Sequence, residues 1–299
     1  MQLDDWNDYQ AFLAVARAGQ LARAAQLLGV DATTIGRRLR RLEGRIGAHL
    51  FERGAKGQHL TEAGEELLAH VETMAHAAEL IGDRGTAGGS IAGTLRISVS
   101  EGLGTWLLAR HLTTLLDPHP QLKVDLVASS GFLSPSRREA DIAVMLSRPK
   151  SGPVLARKLS DYALRLYAST GYLEARGIPG SSDALANGHR MIGYVPDLLY
   201  APELAYLDEI APALPVQLRS SSINAQYRAI AGGAGIGVLP CFIGDSDPAL
   251  LRVLPHHVIT RQFWIVTHRD TNTLKRVKWG KDWIEQIIHA ERRLILGQG

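Results

Sequence analysis

Cysteine is almost absent from this sequence. Cys241 stands alone, which excludes an intrachain disulfide framework and suits a reducing compartment. Long apolar runs are missing as well. The greasiest stretch, 229–244, is broken by Gly232, Gly233, Gly235, Gly237, Gly244 and Pro240, and it falls short of the ~20 residues a spanning helix needs. The opening decapeptide MQLDDWNDYQ carries acids where a signal peptide carries bases, so a cytoplasmic protein without membrane association is expected. Enzyme motifs are lacking too: there is no Gly-x-Ser-x-Gly, no P-loop and no His-Glu-x-x-His. His256 and His257 are adjacent, so on a strand they point to opposite faces, and no cysteine or carboxylate cluster accompanies them. Neither a metal nor a cofactor is expected, and catalysis is not.

What is present describes a globular protein of more than one unit. A chain of 299 residues is long for a single core. Apolar content of 45% with 21% charged residues argues against disorder. The net charge of +3 is unevenly placed. Residues 31–60 hold seven Arg/Lys against three Asp/Glu, whereas 62–82 hold five Glu and no Lys or Arg. Basic charge gathered in one module points to a polyanion partner for that module.

The stretch 20–43, QLARAAQLLGVDATTIGRRLRRLE, organises the chain. Leu21, Ala24, Ala25 and Leu28 make one apolar helical face, and Gly29 suits the left-handed residue that ends such a helix. Asp31 stands where an N-cap belongs. Ile35, Leu39, Leu42 and Ile46 then share one face of a second helix. The opposite face carries Thr33, Gly36, Arg37, Arg40 and Arg41. A basic solvated helix is the plain alternative, but the turn chemistry favours a helix-turn-helix that presents its second helix to a duplex. Upstream, Asp4 or Asp5 caps a helix whose inner stripe is Trp6, Tyr9, Phe12, Leu13 and Ala16. Downstream, 49–60 reads as two short strands around a glycine-rich tip, a wing on which Arg53 and Lys56 meet phosphates. Thr61 caps the next helix.

Ala24-Ala25, Leu28, Val30, Ile35, Arg37, Leu39, Leu42-Glu43, Gly47, Leu50-Phe51-Glu52-Arg53 and Leu60-Thr61-Glu62-Ala63-Gly64 resemble the signature of the LysR-type transcriptional regulators. Two departures stand out: Gly36 and Asp31 occupy positions where the family usually has serine. The resemblance implies a winged helix-turn-helix with Thr33, Thr34, Arg37, Arg38, Arg40, Arg53 and Lys56 on DNA. It also implies a helix from Glu62 to about Gly82 that pairs two subunits, with tetramers to follow and RNA polymerase as a further partner. The residues themselves show a seam of Ala63, Leu67, Val71, Met74, Ala78 and Ile81, suited to a partner helix; the alternative is a helix lying on its own domain.

After the glycine-rich segment 82–90 the pattern becomes alternating strands and helices, which indicates a parallel sheet covered by helices. Strands are expected at Thr94–Val99, Leu122–Ala128, Ile142–Leu146, Ala163–Ala168, Met191–Tyr194, Val216–Arg219, Ile236–Leu239 and Gln262–Thr267. Helices are expected at Thr105–Leu116, Ser134–Ala140, Ile223–Ala231 and Leu274–Ala290. Two such lobes form a hinged cleft. Arg138-Glu139-Ala140-Asp141-Ile142-Ala143, Arg148-Pro149, Gly233-Ala234-Gly235-Ile236 and Leu239-Pro240 resemble the LysR effector-binding domain, itself similar to periplasmic binding proteins. The expected division is therefore a winged helix-turn-helix at 1–61, a linker helix at 62–82, a hinge at 83–93 and an effector domain at 94–292. Within that domain, lobe I takes about 94–161 and 264–292, and lobe II about 162–263.

Ligands of open α/β sheets sit beyond the carboxyl ends of the strands, near helix N-termini. That rule selects Ser100, Glu101, Ser129, Ser130, Arg148, Tyr194, Ser221 and Ser222 as effector contacts, although each serine could equally be a cap or turn former. Glu101 would repel an anionic effector unless it points outward or is balanced by Arg148 or a ligand amine. Met145, where many family members have arginine, also disfavours a carboxylate ligand. The expected function is a DNA-binding regulator governed by a small molecule. The rivals are a ligand-sequestering protein whose N-terminal helices serve only for oligomerisation, and an enzyme acting in the cleft.

Overall fold

The computed structural model describes residues 5–54, 57–85, 91–129, 131, 133–137, 139–212 and 214–298. They fall into two compact units, Met1–Ala87 and Gly88–Gly299.

The first unit is built on α1 (Trp6–Ala18), α2 (Leu21–Leu28) and α3 (Ala32–Ile46). Asp5 caps α1 by accepting from the Asn7 N–H at 3.0 Å. Phe12, Val15, Ala24, Ile35 and Leu42 are sealed from solvent in a shared core. Gly29 ends α2 in the left-handed region at φ 64°, where a side chain would be strained. Two expectations about α3 need correction. Ile46 is 40% exposed, because it is the last residue of the helix and its turn runs past the helices that cover Ile35 and Leu39. Arg41 is not on the outer face. One residue beyond Arg40 is a rotation of about 100°, which turns Arg41 toward α1. There its Nε and Nη2 donate to the buried Asp8 carboxylate at 2.7 and 2.5 Å, and Nη2 reaches Asp5 at 2.7 Å. Arg45 completes the neutralisation of Asp8 at 3.0 Å.

The wing consists of β1 (Phe51–Gly54) and β2 (Gly57–Leu60), antiparallel in the register Phe51↔Leu60 to Gly54↔Gly57. The Gln58 N–H donates to the Gly19 carbonyl at 2.8 Å. A Cβ on Gly57 would lie 2.3 Å from that same oxygen, so only glycine lets the wing close on the α1–α2 turn. The long helix α4 (Glu62–Gly85) follows, its Gly64 N–H capped by the Thr61 hydroxyl at 3.1 Å. Val71 is fully buried in the three-helix core, with Leu67 and Leu68 packed against it. The front of the expected dimer seam therefore belongs to the chain's own module. Farther along, Met74, Ala78 and Ile81 are exposed, Ile81 by 72%.

The second unit holds a nine-stranded sheet among the described residues. Its strands are β3 (Gly93–Ser100), β4 (Leu122–Ser129), β5 (Ile142–Met145), β6 (Val154–Ser169), β7 (Met191–Gly193), β8 (Val216–Arg219), β9 (Ile236–Pro240), β10 (Leu250–Val253) and β11 (Ile259–His268). The order is β4-β3-β5-β11-β6-β9-β7-β8, with β10 on β6. One lobe is the parallel set around β3, the other the parallel set around β7. The long antiparallel strands β6 and β11 run through both and shift register between Phe263 and Trp264. Both strands are longer than their apolar cores at Ala163–Ala168 and Gln262–Thr267 suggested. The first half of β6 has exposed charges at Arg157 and Lys158, so only its backbone pairing marks it as strand.

The helices differ in detail from expectation. The first helical run starts at Glu101, four residues before Thr105, directly from β3. It passes through a π segment, Gly104–Leu108, and a 3-10 turn before ending at Leu116. A Cβ on Gly104 would approach the Ala128 Cβ to 2.4 Å, so the glycine lets this run lie tightly on β4. The described part of 134–140 holds a 3-10 turn, Pro135–Arg137, in place of the expected helix, and the Ser134 N–H at its start donates to the Glu139 carboxylate at 2.8 Å. Short helices Thr170–Arg176 and Ser182–Gly188 and strand β10 were not anticipated. The closing helix, Lys275–Ala290, packs its Gly280 against Leu95 of β3 and Ile142 of β5.

Candidate functional site

The outer face of α3 begins at its cap. The Asp31 carboxylate accepts from the Thr34 N–H at 2.8 Å and the Thr34 hydroxyl at 2.9 Å, and from the Thr33 hydroxyl. These bonds, Thr33's foremost, pull the Asp31 pKa down to about 2. Both threonine hydroxyl protons are thus committed to the cap, leaving their oxygens to accept. Beyond them Arg37 and Arg40 are exposed, and neither forms an ion pair among the described residues. Arg38 is half-buried on the flank, and Arg53 is exposed on the wing. Lys56 lies outside the described residues.

In the second unit the lobes meet at Glu101. This side chain leaves the end of β3 and reaches the N-terminus of helix Ile223–Ala231 in the other lobe. It accepts from the Ser222 hydroxyl at 2.8 Å, the Ile223 N–H at 3.0 Å and the Asn224 amide at 3.1 Å. Nearby, Trp106 Nε1 donates to Asn224 Oδ1 at 2.8 Å, and the Trp106 ring meets Tyr227 edge-on with centroids 4.7 Å apart. Beside this latch lies a cavity of about 30 Å³, room for little more than water. Ser100 and Gly102, on either side of Glu101, are in its wall, as are Tyr162, Tyr194, Tyr200 and Tyr206. Tyr162 stacks on Phe263 at 4.1 Å. Burial pushes the tyrosine hydroxyls up, Tyr200 to about 12 with help from the Glu101 charge, so all four stay protonated at neutral pH. The Tyr206 hydroxyl is buried without a hydrogen-bond partner among the described residues.

Comparison with known proteins separates the same two parts. The profile of the lysR-family bacterial regulatory helix-turn-helix proteins matches residues 6–65, and that of the LysR substrate binding domain matches 88–287. The chain belongs to the LysR-type transcriptional regulators. It is 28% identical to the Mau operon transcriptional activator of Paracoccus denitrificans, over 96% of this chain and 99% of that one. The solved structure of CrgA, a LysR-type regulator from Neisseria meningitidis, shares the fold at TM-score 0.59 and 23% identity, covering 94% and 98% of the two chains. A full-length OxyR from Pseudomonas aeruginosa gives TM-score 0.68 at 19% identity, covering 95% and 97%. Membership makes this protein a transcription regulator and not an enzyme. The N-terminal helices are accordingly a DNA-binding module, which removes the sequestering alternative.

In this LysR-type regulator the structure brings together only part of the expected effector set. Ser100 and Tyr194 line the cavity; Glu101 and Ser222 form the latch beside it. Ser129 instead closes its own turn, its hydroxyl donating to the Gly131 carbonyl at 2.5 Å. The Arg148 guanidinium lies 5.7 Å from the Trp264 ring centroid and takes no part in the cavity wall. Ser221 stands outside the wall too, because the cap position falls to Ser222. Ser130 is outside the described residues. The choice posed for Glu101, outward or balanced by a cation, has a third answer: backbone and side-chain donors of a helix start hold it. The tyrosines Tyr162, Tyr200 and Tyr206 were missed, although six of the eight tyrosines fall between 162 and 206, a concentration that could have drawn attention. Among the described residues no cluster of His, Cys, Asp and Glu could hold a metal, and no helix is long and apolar enough to cross a membrane.

Proposed function

We propose that this regulator acts in the cytoplasm as a dimer, assembling further into a tetramer, and that it reads promoter DNA through α3. Arg37 and Arg40, with Thr33 and Thr34 at the start of the helix, enter the major groove, where an arginine can pair with guanine O6 and N7. Arg38, Arg53 and Lys56 hold phosphates, which sets register without choosing sequence. The exposed end of α4, at Met74, Ala78 and Ile81, meets its counterpart in the second subunit. The proposed parts are a DNA module (1–61), a linker helix (62–82, with α4 itself continuing to Gly85), a hinge (83–93) and a two-lobed effector domain (94–292). A small molecule entering between the lobes changes how the dimers are arranged and hence the spacing of the reading helices. Such control requires that it bind the two arrangements unequally. RNA polymerase is the downstream partner.

The observation that carries this proposal is the exposure of Arg37 and Arg40 on a helix whose opposite face, Ile35 and Leu39, is buried. A mobility-shift titration on the intergenic DNA beside the protein's own gene tests it. Arg37→Ala should lose about 1–3 kcal/mol of discrimination between that DNA and random sequence. Equal losses on both would remove Arg37 from base reading.

A further inference from the structure

Resting on the effector assignment above, we propose that the inter-lobe cavity takes an uncharged, ring-sized aromatic molecule with one hydrogen-bonding group. Glu101 is the internal latch that this molecule must open, and it also bars anions from the site.

Three observations converge on this chemistry. Among the described residues, no cationic side chain is in the cavity wall. Arg148 is spent on Trp264, and Arg261 donates to the Glu203 carbonyl at 3.0 Å and to the Glu209 carboxylate. The helix start that would welcome an anion is already filled by the protein's own carboxylate, since the Ile223 N–H and the Ser222 and Asn224 side chains all donate to Glu101. An anionic ligand would meet that charge without compensation. What the wall does offer is aromatic surface from Tyr162, Phe242 and Phe263, and one fully buried polar atom with no partner among the described residues, the Tyr206 hydroxyl, in a residue only 1% exposed. A buried hydroxyl without a partner is a standing cost, and a ligand acceptor would relieve it.

The size of the cavity makes the latch part of the binding event. A dry apolar cavity of about 150 Å³ takes one benzene ring, whereas this one measures about 30 Å³. A ring can enter only if the lobes part, and the bonds that resist parting are chiefly the three that Glu101 accepts, beside the one from Trp106 to Asn224. Apparent affinity is then the intrinsic affinity reduced by the fraction of open molecules. Removing the latch raises that fraction.

Benzamide and benzoate have the same shape and differ in charge, so titration calorimetry of the full-length protein with each is the test. Wild type should favour benzamide over benzoate by about tenfold or more, the scale set by a single charge-assisted hydrogen bond. Glu101→Ala should bind benzamide more tightly and gain benzoate binding as the helix start is freed. Glu101→Gln, which keeps the shape and most of the bonds, should narrow the preference. Tyr206→Phe should retain full thermal stability, because the hydroxyl it loses has no partner, yet weaken benzamide by about fivefold or more. Wild type binding benzoate as well as benzamide would overturn the proposal, as would an unchanged preference in both Glu101 variants or binding of neither probe to any of the proteins. Failure of the effector assignment would look different: benzamide would bind as described while the protein's footprint on its promoter stayed the same.

Discussion

Asp31 shows how much one carboxylate can settle at the residue scale. Its pKa of about 2 in the folded chain lies below the unfolded value of about 3.9. A depressed carboxylate pKa favours folding at every pH above the unfolded value and loses that contribution as pH falls through the folded one. Asp31→Ala should therefore lower the melting temperature by a constant amount from pH 8 to 5, with the gap to wild type closing between about pH 4 and 2. A gap that persisted unchanged in acid would show that the charged cap is not what matters. Four residues into α3, Gly36 stands where a Cβ would meet only Leu21, at an ordinary 3.7 Å. Gly36→Ala should raise stability by about 0.5–1 kcal/mol in a denaturant titration. If so, the glycine is kept for what its missing side chain does at the DNA surface.

Elements carry their own consequences. The inner face of α3 is held by Ile35, which is sealed against α1 and α2. Ile35→Ala should cost about 2–5 kcal/mol in chemical denaturation and weaken binding to every DNA sequence alike, unlike Arg37→Ala. α4 is two things along one helix. Its front half, through Val71, completes the three-helix core, while Met74, Ala78 and Ile81 are left in water. Ile81→Glu should raise the dimer dissociation constant by at least about tenfold in sedimentation without changing the melting temperature of the DNA module. Val71→Ala should instead lower that melting temperature. The heptad-like spacing of 67, 71, 74, 78 and 81 is the same in both halves, so periodicity could announce a buried stripe but not whose core would bury it. The wing was legible for a different reason: its glycines and the strands flanking them are local signals. The first half of β6 was not, since its exposed Arg157 and Lys158 are ordinary surface residues and its strand pairing is made with β11, about a hundred residues away.

For the whole molecule, binding to DNA is largely a matter of phosphates neutralised. Arg53→Ala should reduce the slope of log affinity against log salt by about 1 and leave sequence preference intact; a changed preference would make Arg53 a base reader. The effector domain poses the harder problem of distance. Asp31, Ile35, Arg37 and Leu39 lie within nine positions, and their roles follow from a repeat of 3.6 residues and the chemistry of a helix start. That much the chain determines alone: a helix-turn-helix with a cationic outer face, and a string of alternating strands and helices behind it. Tertiary structure decided the rest. It turned Arg41 from the DNA face to Asp8, gave Val71 to its own core, and carried Glu101 to a helix start 122 residues away, at Ile223. It also gathered tyrosines from β6 and from the loops after β7 around one cavity, while Arg148 and Ser129 found partners elsewhere. Periodicity reports which way a side chain faces on its own element. Only packing brings up the neighbour from across the sheet, and the neighbour determines whether a charge reads DNA, braces a helix or closes a cleft.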